Sequence, residues 1–158
     1  MVSLAVQELW NTASNAYGIG TLLTQGAVEA IEAHGSEQLK QLYLPKMVAG
    51  DWTGTMNLTE PQAGSDLSGV RSSAKALDDG SYAVTGTKIY ITYGEHDLTE
   101  HIVHLVLARL PDAPDGIRGS SMFLVPKFLP EDAGNPGRRT DVNCIGLELK
   151  LGLHGSPS

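Results

Sequence analysis

The segment Met56-Asn57-Leu58-Thr59-Glu60-Pro61-Gln62-Ala63-Gly64-Ser65-Asp66 combines small residues and hydroxyls in a pattern that can bind a cofactor. The small residues 63–65 leave the backbone uncovered, so phosphates or carbonyls of a ligand can approach its amides. Thr59 and Ser65 add hydroxyls that can donate or accept. Asp66 disfavours a phosphate directly beside it and could instead cap a short turn over 67–70. On residue types alone, a tight turn that ends a strand is the more common structure.

A second segment, Lys88-Ile89-Tyr90-Ile91-Thr92-Tyr93-Gly94, alternates polar and apolar residues as a β-strand does. On a strand, Tyr90 and Thr92 point to the same face. An aromatic ring and a hydroxyl two residues apart can stack on a flat heterocycle and hydrogen-bond to it. The alternative is an ordinary core strand, for which these residue types are also typical.

The remaining metal-binding or nucleophilic residue types are scattered along the sequence. His101 and His104 would point to opposite faces of a strand, so we expect these and His96 to be solvated or core histidines rather than metal ligands. Cys144 has no activating neighbour in sequence, which predicts a packed thiol. The acidic pairs are expected in solvated turns; they are Asp78-Asp79 and Glu131-Asp132.

The composition predicts a globular protein and disfavours some partners. Of 158 residues, 41% are hydrophobic and 18% are charged, and the net charge is −7, which disfavours binding to nucleic acid. No window approaches the ~20 apolar residues that span a bilayer. A single cysteine and no signal-peptide pattern predict a cytoplasmic protein. Both ends interrupt ordered-looking sequence, so we expect a fragment of a longer protein.

Helical patterns fill residues 1–50. Gly35 is expected to stop one helix and Ser36 to cap the next. Pro45 should end or kink that helix, and Gly50 closes the region.

Short strands are predicted beyond Trp52, joined by turns. They cover 53–58, 71–77, 81–85, 88–92, 102–109 and 121–125, with Asp78-Asp79-Gly80 as a hairpin turn and a loop over 126–139 leading to 141–150. The predicted fold is α+β, with short N-terminal helices followed by an antiparallel β-barrel or sandwich.

The two candidate segments together resemble the acyl-CoA dehydrogenase family. The resemblance rests on Thr59-Glu60-Pro61-x-Ala63-Gly64-Ser65-Asp66 followed by Gly86-x-Lys88-x-Tyr90-Ile91-Thr92. Two further stretches are similar to the family: Gln41-Leu42-Tyr43-Leu44-Pro45-Lys46-Met47, and Lys150-Leu151-Gly152 followed by Gly155-Ser156-Pro157-Ser158. The resemblance implies that residues 1–50 end an N-terminal helical domain, that 51–158 form the middle β-domain, and that the C-terminal helical domain is absent.

The resemblance also implies FAD as the cofactor and assigns residues to it. Thr59 would bond the pyrimidine side of the flavin, Gly64 and Ser65 would lie near the pyrophosphate, and Thr92 would bond flavin N5 or O4. Ser65 would also meet the acyl-CoA. Tyr90 stands where many members carry Trp, and Tyr93 where Asn or Gly is frequent. The full implied cofactor set is Met56, Leu58, Thr59, Gly64, Ser65, Tyr90, Ile91 and Thr92.

The implied reaction is oxidation of the Cα–Cβ bond of an acyl-CoA, with hydride transfer to FAD and electrons passed to an acceptor such as an electron-transfer flavoprotein. The family's base is a glutamate of the C-terminal domain, so no catalytic residue is assigned here and Glu60 is interpreted as structural. The resemblance further implies a homo-oligomeric parent, an inactive fragment and weak FAD binding. Residues 92–129 look most like a bacterial branch that acts on 3-(methylthio)propanoyl-CoA.

Three alternatives remain open at this point. The parent could be an acyl-CoA oxidase with oxygen as acceptor, or a non-enzymatic member such as the family's DNA-damage-response branch. The third alternative is a β-barrel that binds no flavin.

Overall fold

Three helices begin the chain in the computed structural model, which describes residues 2–131 and 135–155. They are α1 (Val2–Ala13), α2 (Asn15–His34) and α3 (Glu37–Ala49). The side chain of Ser36 caps α3 by accepting from Leu39 N, and Gly50 ends it in the left-handed conformation with φ +86°. Gly35 ends α2, also as predicted.

Helix α3 continues through Pro45, so of the two predicted effects of this residue, an end or a kink, the end was wrong. Tyr43 and Met47, on either side of Pro45, are both buried in the core. Their packing stabilises the helical turn that the missing proline N–H would weaken.

Seven strands follow α3 within the described residues. They are β1 (Trp52–Asn57), β2 (Ser73–Ala76), β3 (Tyr82–Thr85), β4 (His101–Arg109), β5 (Ser120–Pro126), β6 (Phe128–Pro130) and β7 (Pro136–Arg139). The hairpin predicted around Asp78-Asp79-Gly80 is confirmed as antiparallel β2–β3. The segment 88–92 and the segment 141–150 form no strand, whereas β6 and β7 pair inside the predicted loop 126–139.

The predicted α+β class, with helices first and strands after them, is confirmed, but the main sheet is mixed and open, so the prediction of an antiparallel barrel was wrong. Central strand β4 is parallel to β1 and β2 and antiparallel to β5. β1 and β4 are separated by a connection long enough to return the chain to the same end of the sheet. Strand direction depends on such crossovers, which alternation patterns do not reveal.

Helices α2 and α3 pack on one face of this sheet. Trp52 is fully buried there, with its ring centroid 5.9 Å from that of Tyr43 and 4.6 Å from that of His101. Burial of each large side chain contributes about 1.5–3 kcal/mol. The core cluster comprises Ala27, Ile31, Tyr43, Met47, Trp52, Val103 and Leu105.

Gly54 allows α2 to approach β1 closely. A Cβ at this position would lie 2.5 Å from Ala27 Cβ and 2.8 Å from Met47 Cε. Thr24 on the same helix accepts a hydrogen bond from Gly54 N at 3.1 Å. The helix layer is therefore in direct contact with the strand that leads into the Thr59 segment.

The buried carboxylate of Glu60 organises the turn after β1. It accepts from Arg71 N (2.8 Å), Ser72 N (3.0 Å) and Ser72 Oγ (2.5 Å). Lys88 Nζ donates to it at 2.7 Å and to Leu58 O at 3.1 Å. Burial alone would raise the pKa of Glu60, but the bonds from Lys88 and Ser72 outweigh it and lower the pKa to about 2.

The opposite face of β1 and β4 carries buried polar groups. Thr55 Oγ1 donates to Asn57 Oδ1 at 2.5 Å and lies 2.8 Å from His104 Nδ1. Burial, with the positive charge of Lys127 acting in the same direction, lowers to about 4 the pKa of His104 and also that of His101, which packs against Trp52 on the helix-covered face. Both are core histidines, one of the two alternatives expected from the sequence.

The segment 141–151 runs without regular structure and exposes an alternating apolar stripe. The exposed side chains are Ile145, Leu147, Leu149 and Leu151. Cys144, in the same segment, is exposed, so the prediction of a packed thiol was wrong. The reason is that this segment lies outside the core and buries little of its apolar surface.

Gly54→Ala should destabilise the protein by about 1–3 kcal/mol, because its Cβ has no room between Ala27 and Met47. The matched control is Gly26→Ala in α2, where a Cβ meets nothing within 4 Å and should stabilise the helix by about 0.5–1 kcal/mol. Urea unfolding gives both free energies. Equal effects from the two substitutions would contradict the close approach.

Glu60→Gln should cost about 3–5 kcal/mol, because it leaves the buried Lys88 ammonium without a compensating charge. As a control, Asp51→Asn breaks an exposed ion pair with Lys46 and should cost about 0–1 kcal/mol. Thermal or urea unfolding at pH 7 distinguishes the two. A small loss for Glu60→Gln would show that the ion pair does not hold the turn.

The buried histidines predict acid sensitivity. Their folded pKa of about 4 lies below the ordinary 6.5, so between these values the unfolded chain binds protons that the folded chain does not. Stability should be fully present above pH 6.5 and fall toward pH 4 by on the order of 1.4 kcal/mol per pH unit for each histidine. Urea unfolding from pH 7 to pH 4.5 measures this slope, which His104→Gln should reduce. A free energy that stays constant over this range would contradict the prediction.

Candidate functional site

Two hydrogen bonds join the two candidate segments. Ile89 N donates to Thr59 O at 3.0 Å, and Lys88 Nζ donates to Leu58 O at 3.1 Å. The two segments are distant in sequence but contact each other directly at the point where β1 ends. Sequence spacing alone gave no such contact.

The first segment is a tight turn with an open rim. Backbone bonds between Glu60 and Ala63 in both directions (2.9 and 3.0 Å) close the turn. Ala63 is buried, whereas Gly64 and Ser65 are exposed, and a Cβ at Gly64 would meet nothing within 4 Å. The rim therefore leaves room for a ligand beside its backbone.

The side chain of Asp66 points back to its own turn. Its Oδ1 accepts from Ser68 N at 2.9 Å and caps the 3-10 helix Leu67–Gly69, as the sequence predicted. Hydrogen bonds from Ser68 lower the pKa of the Asp66 carboxyl. Its charge is thus engaged locally, next to Gly64 and Ser65.

The second segment is a bend at Tyr90 followed by a turn that Gly94 N closes by donating to Ile91 O at 3.0 Å, together called here the double turn, instead of the predicted strand. Tyr90 (φ 57°) and Tyr93 (φ 56°) both adopt the left-handed conformation, which is rare for bulky residues. The Tyr93 hydroxyl donates to Ala16 O at 2.9 Å, and its ring fills the space that a Cβ on Gly20 would need. This contact with α2 overrides the local alternation pattern.

The double turn exposes Tyr90 and partly exposes Thr92. Half of the Tyr90 surface (51%) is accessible, so one aromatic face can receive a planar ligand. Lys150 Nζ donates to Thr92 Oγ1 at 3.3 Å. Since no strand exists here, strand alternation no longer explains a shared face for Tyr90 and Thr92.

The apolar members of the candidate set are partly buried. Met56 packs against the main core. Leu58 packs on a second cluster formed by Ala63, Val70 and Leu107. Ile91 is half-buried next to Gly94. These side chains support the backbone of the site more than they line an open surface.

Lys150 opens the third family motif (Lys150-Leu151-Gly152 and the residues after it), to which the resemblance assigned no role. Its contact with Thr92 brings the third motif to the second one. The Ser156-Pro157-Ser158 part of that motif lies outside the described residues. Spacing could not indicate this contact, because the two residues lie 58 positions apart in the sequence. The one available signal was that Lys150 belongs to a family motif.

The donor set of the site is chemically suited to a flavin nucleotide. It offers an exposed aromatic ring, the hydroxyls of Thr59, Ser65 and Thr92, and uncovered backbone at Gly64. Flavin carbonyls and ring nitrogens accept hydrogen bonds, and backbone amides can bind phosphates.

Other kinds of site are not found in the part of the chain that the structure describes. There, no group of three His, Cys, Asp or Glu side chains could hold a metal ion. None of the described helices is long and apolar enough to cross a bilayer. An open groove of about 670 Å³ lies between α1, α2 and the loop 93–99.

Comparison with known proteins gives consistent matches. A family model described as "Acyl-CoA dehydrogenase, middle domain" matches residues 55–155. The chain is 54% identical to 3-methylmercaptopropionyl-CoA dehydrogenase of Ruegeria pomeroyi, over 100% of this chain and 27% of that protein. It is 43% identical to a butyryl-CoA dehydrogenase of Syntrophomonas wolfei, over 96% of this chain and 25% of that protein.

The fold also matches solved structures. A glutaryl-CoA dehydrogenase from Mycobacterium smegmatis in complex with FADH2 is 35% identical and superposes with a TM-score of 0.51, over 64% of this chain and 23% of that chain. The chain spans about a quarter of the length of the curated relatives it matches. Because the family model covers residues 55–155 and these relatives match nearly the whole chain, the chain belongs to the acyl-CoA dehydrogenase family.

Proposed function

We propose that this chain forms one side of the flavin site of a FAD-dependent acyl-CoA dehydrogenase. This surface, called here the wall, comprises Thr59, Gly64, Ser65, Tyr90 and Thr92. The observation that carries the proposal is the direct hydrogen bonding of the two motifs, Ile89 N to Thr59 O and Lys88 Nζ to Leu58 O. It is supported by the FADH2 complex of the Mycobacterium smegmatis relative. The match at 54% identity makes 3-methylmercaptopropionyl-CoA the first substrate to test.

In this proposal, each exposed or partly exposed group of the wall binds a defined part of the flavin or of the substrate. Thr59 binds the pyrimidine side of the flavin, and Thr92 binds its N5 or O4 end. Tyr90 packs on the flavin face away from substrate. The backbone of Gly64 and the hydroxyl of Ser65 hold the pyrophosphate, and Ser65 also contacts the CoA thioester. The partly buried residues Met56, Leu58 and Ile91 keep this surface in place.

A flavin held by these residues would supply an acceptor for the hydride from the β-carbon of an acyl group. The chain's own contribution is to fix the position of that acceptor and to exclude water from one of its faces. Glu60 is unsuited as the base, because its carboxylate is buried, fully hydrogen-bonded and of low pKa. The family resemblance instead assigns removal of the proton α to the thioester to a glutamate of the C-terminal helical domain.

The wider setting is proposed on the same family basis. Residues 1–50 end a helical domain and 51–158 form the middle β-domain of a longer, homo-oligomeric parent. The parent passes electrons to a carrier such as an electron-transfer flavoprotein and works in the cytoplasm. A second, C-terminal helical domain completes the flavin site.

The test compares this chain with its parent protein. The parent should contain FAD and reduce a dye acceptor with 3-methylmercaptopropionyl-CoA or butyryl-CoA, without producing peroxide. The 158-residue chain alone should bind FAD at least tenfold more weakly and show no turnover, because half of the site is missing. A parent that purifies and refolds without flavin would refute the proposal, and peroxide formation would indicate an oxidase.

The FAD affinity of the parent also tests whether these residues contact the flavin. In the parent, Tyr90→Ala should weaken FAD binding up to about tenfold, through loss of aromatic stacking on the flavin worth roughly 0.5–1.5 kcal/mol. Thr85→Val on the exposed strand β3 is the matched control and should leave FAD binding unchanged. Equal FAD affinities for Tyr90→Ala and the wild type would place the flavin elsewhere.

A further inference from the structure

Lys150 contacts the hydroxyl that the proposed function assigns to the reactive end of the flavin. Its Nζ donates to Thr92 Oγ1 at 3.3 Å, and both side chains are half-buried. A turn follows Lys150 immediately, closed by the bond from Leu153 N to Lys150 O (3.2 Å), with Gly152 at φ +73°. The turn fixes the backbone from which Lys150 reaches Thr92.

The chemistry of the two groups sets the direction of this contact. An ammonium can only donate, so the Thr92 oxygen must accept from Lys150. The single hydrogen of the Thr92 hydroxyl is therefore not used toward Lys150 and can be donated to another acceptor. A donor bond from a cation also polarises the hydroxyl and makes it a stronger donor.

Lys150 differs from Lys88 and Lys127 in whether a carboxylate pairs with its ammonium group. Lys88 is paired with Glu60, and Lys127 with Glu95. Lys150 takes part in none of the ion pairs found among the described residues. Burial lowers the pKa of its ammonium, while the negative charge of Glu148 acts in the opposite direction.

We propose that Lys150 is a positioning residue for the flavin: it orients the Thr92 hydroxyl as a donor to N5 or O4 and places a positive charge at that end of the ring. This inference rests on the proposed flavin site. Positive charge and hydrogen-bond donation beside the ring favour the reduced, more electron-rich flavin over the oxidised one. Lys150 therefore raises the reduction potential of the cofactor without touching the substrate.

The experiment uses the flavin-loaded parent and measures the flavin midpoint potential and visible spectrum. Lys150→Met should shift the ratio of reduced to oxidised flavin at a fixed potential by about tenfold toward oxidised, equivalent to about 30 mV for a two-electron couple. Lys150→Arg keeps the charge and should stay within threefold of the wild type. Lys75→Met, on an exposed position of β2, is the control and should shift nothing.

A double-mutant cycle tests the route through Thr92. Thr92→Val should shift the ratio in the same direction as Lys150→Met, and the double variant should shift it by clearly less than the sum, because one contact is lost in both. Additive effects would refute the orienting role. If Lys150→Met does not fold, Lys150→Gln replaces it with the same expected shift.

The outcomes separate this inference from the proposed function. A parent without flavin refutes the proposed function, and this inference with it. A parent that keeps its flavin while Lys150→Met stays within twofold of the wild-type ratio refutes the inference alone. A shift in Lys150→Arg as large as in Lys150→Met would show that packing, rather than charge, is what Lys150 provides.

Discussion

The ion pair between Glu60 and Lys88 is the interaction on which the site depends. Both side chains are almost completely buried, so their charges have lost most of their hydration. The loss is offset because Glu60 also accepts from the backbone at Arg71 and Ser72, and Lys88 also donates to Leu58 O. One buried pair thus connects the end of β1, the approach to β2 and the second motif. The same bonds that stabilise the carboxylate make it a weak base, which explains why a charged residue inside a catalytic family's motif has a structural role.

The helix layer determines where that pair and its loop lie. Gly54 brings α2 against β1, and Tyr93 anchors the double turn to the carbonyl of Ala16 on the same helix. Both motifs are therefore positioned relative to α2 as well as to each other. The N-terminal helices are part of the site's support, although none of the candidate flavin contacts comes from them.

The sequence predicted the features that depend on local chemistry. Ser36, Gly50 and the Asp78-Asp79-Gly80 turn each act through their own backbone or that of near neighbours, and all three are observed. The strand predicted over 88–92 was wrong because Tyr93 is held by a distant helix, which a local pattern cannot show. The barrel was wrong because strand direction depends on long connections. Residue types indicated Thr59, Ser65, Tyr90 and Thr92, and family resemblance assigned them to a flavin, whereas the contact between Lys150 and Thr92 depends on the folded chain.

The alternating stripe at residues 145–151 has a consequence for handling this chain. A segment with large exposed aliphatic side chains on every second residue has the sequence pattern of a strand that can pair with a copy of itself. Salts that strengthen the hydrophobic effect, such as sulfate, should promote self-association through this stripe. A charged side chain in place of Ile145, five residues before Lys150, is the simplest way to reduce such self-association during purification.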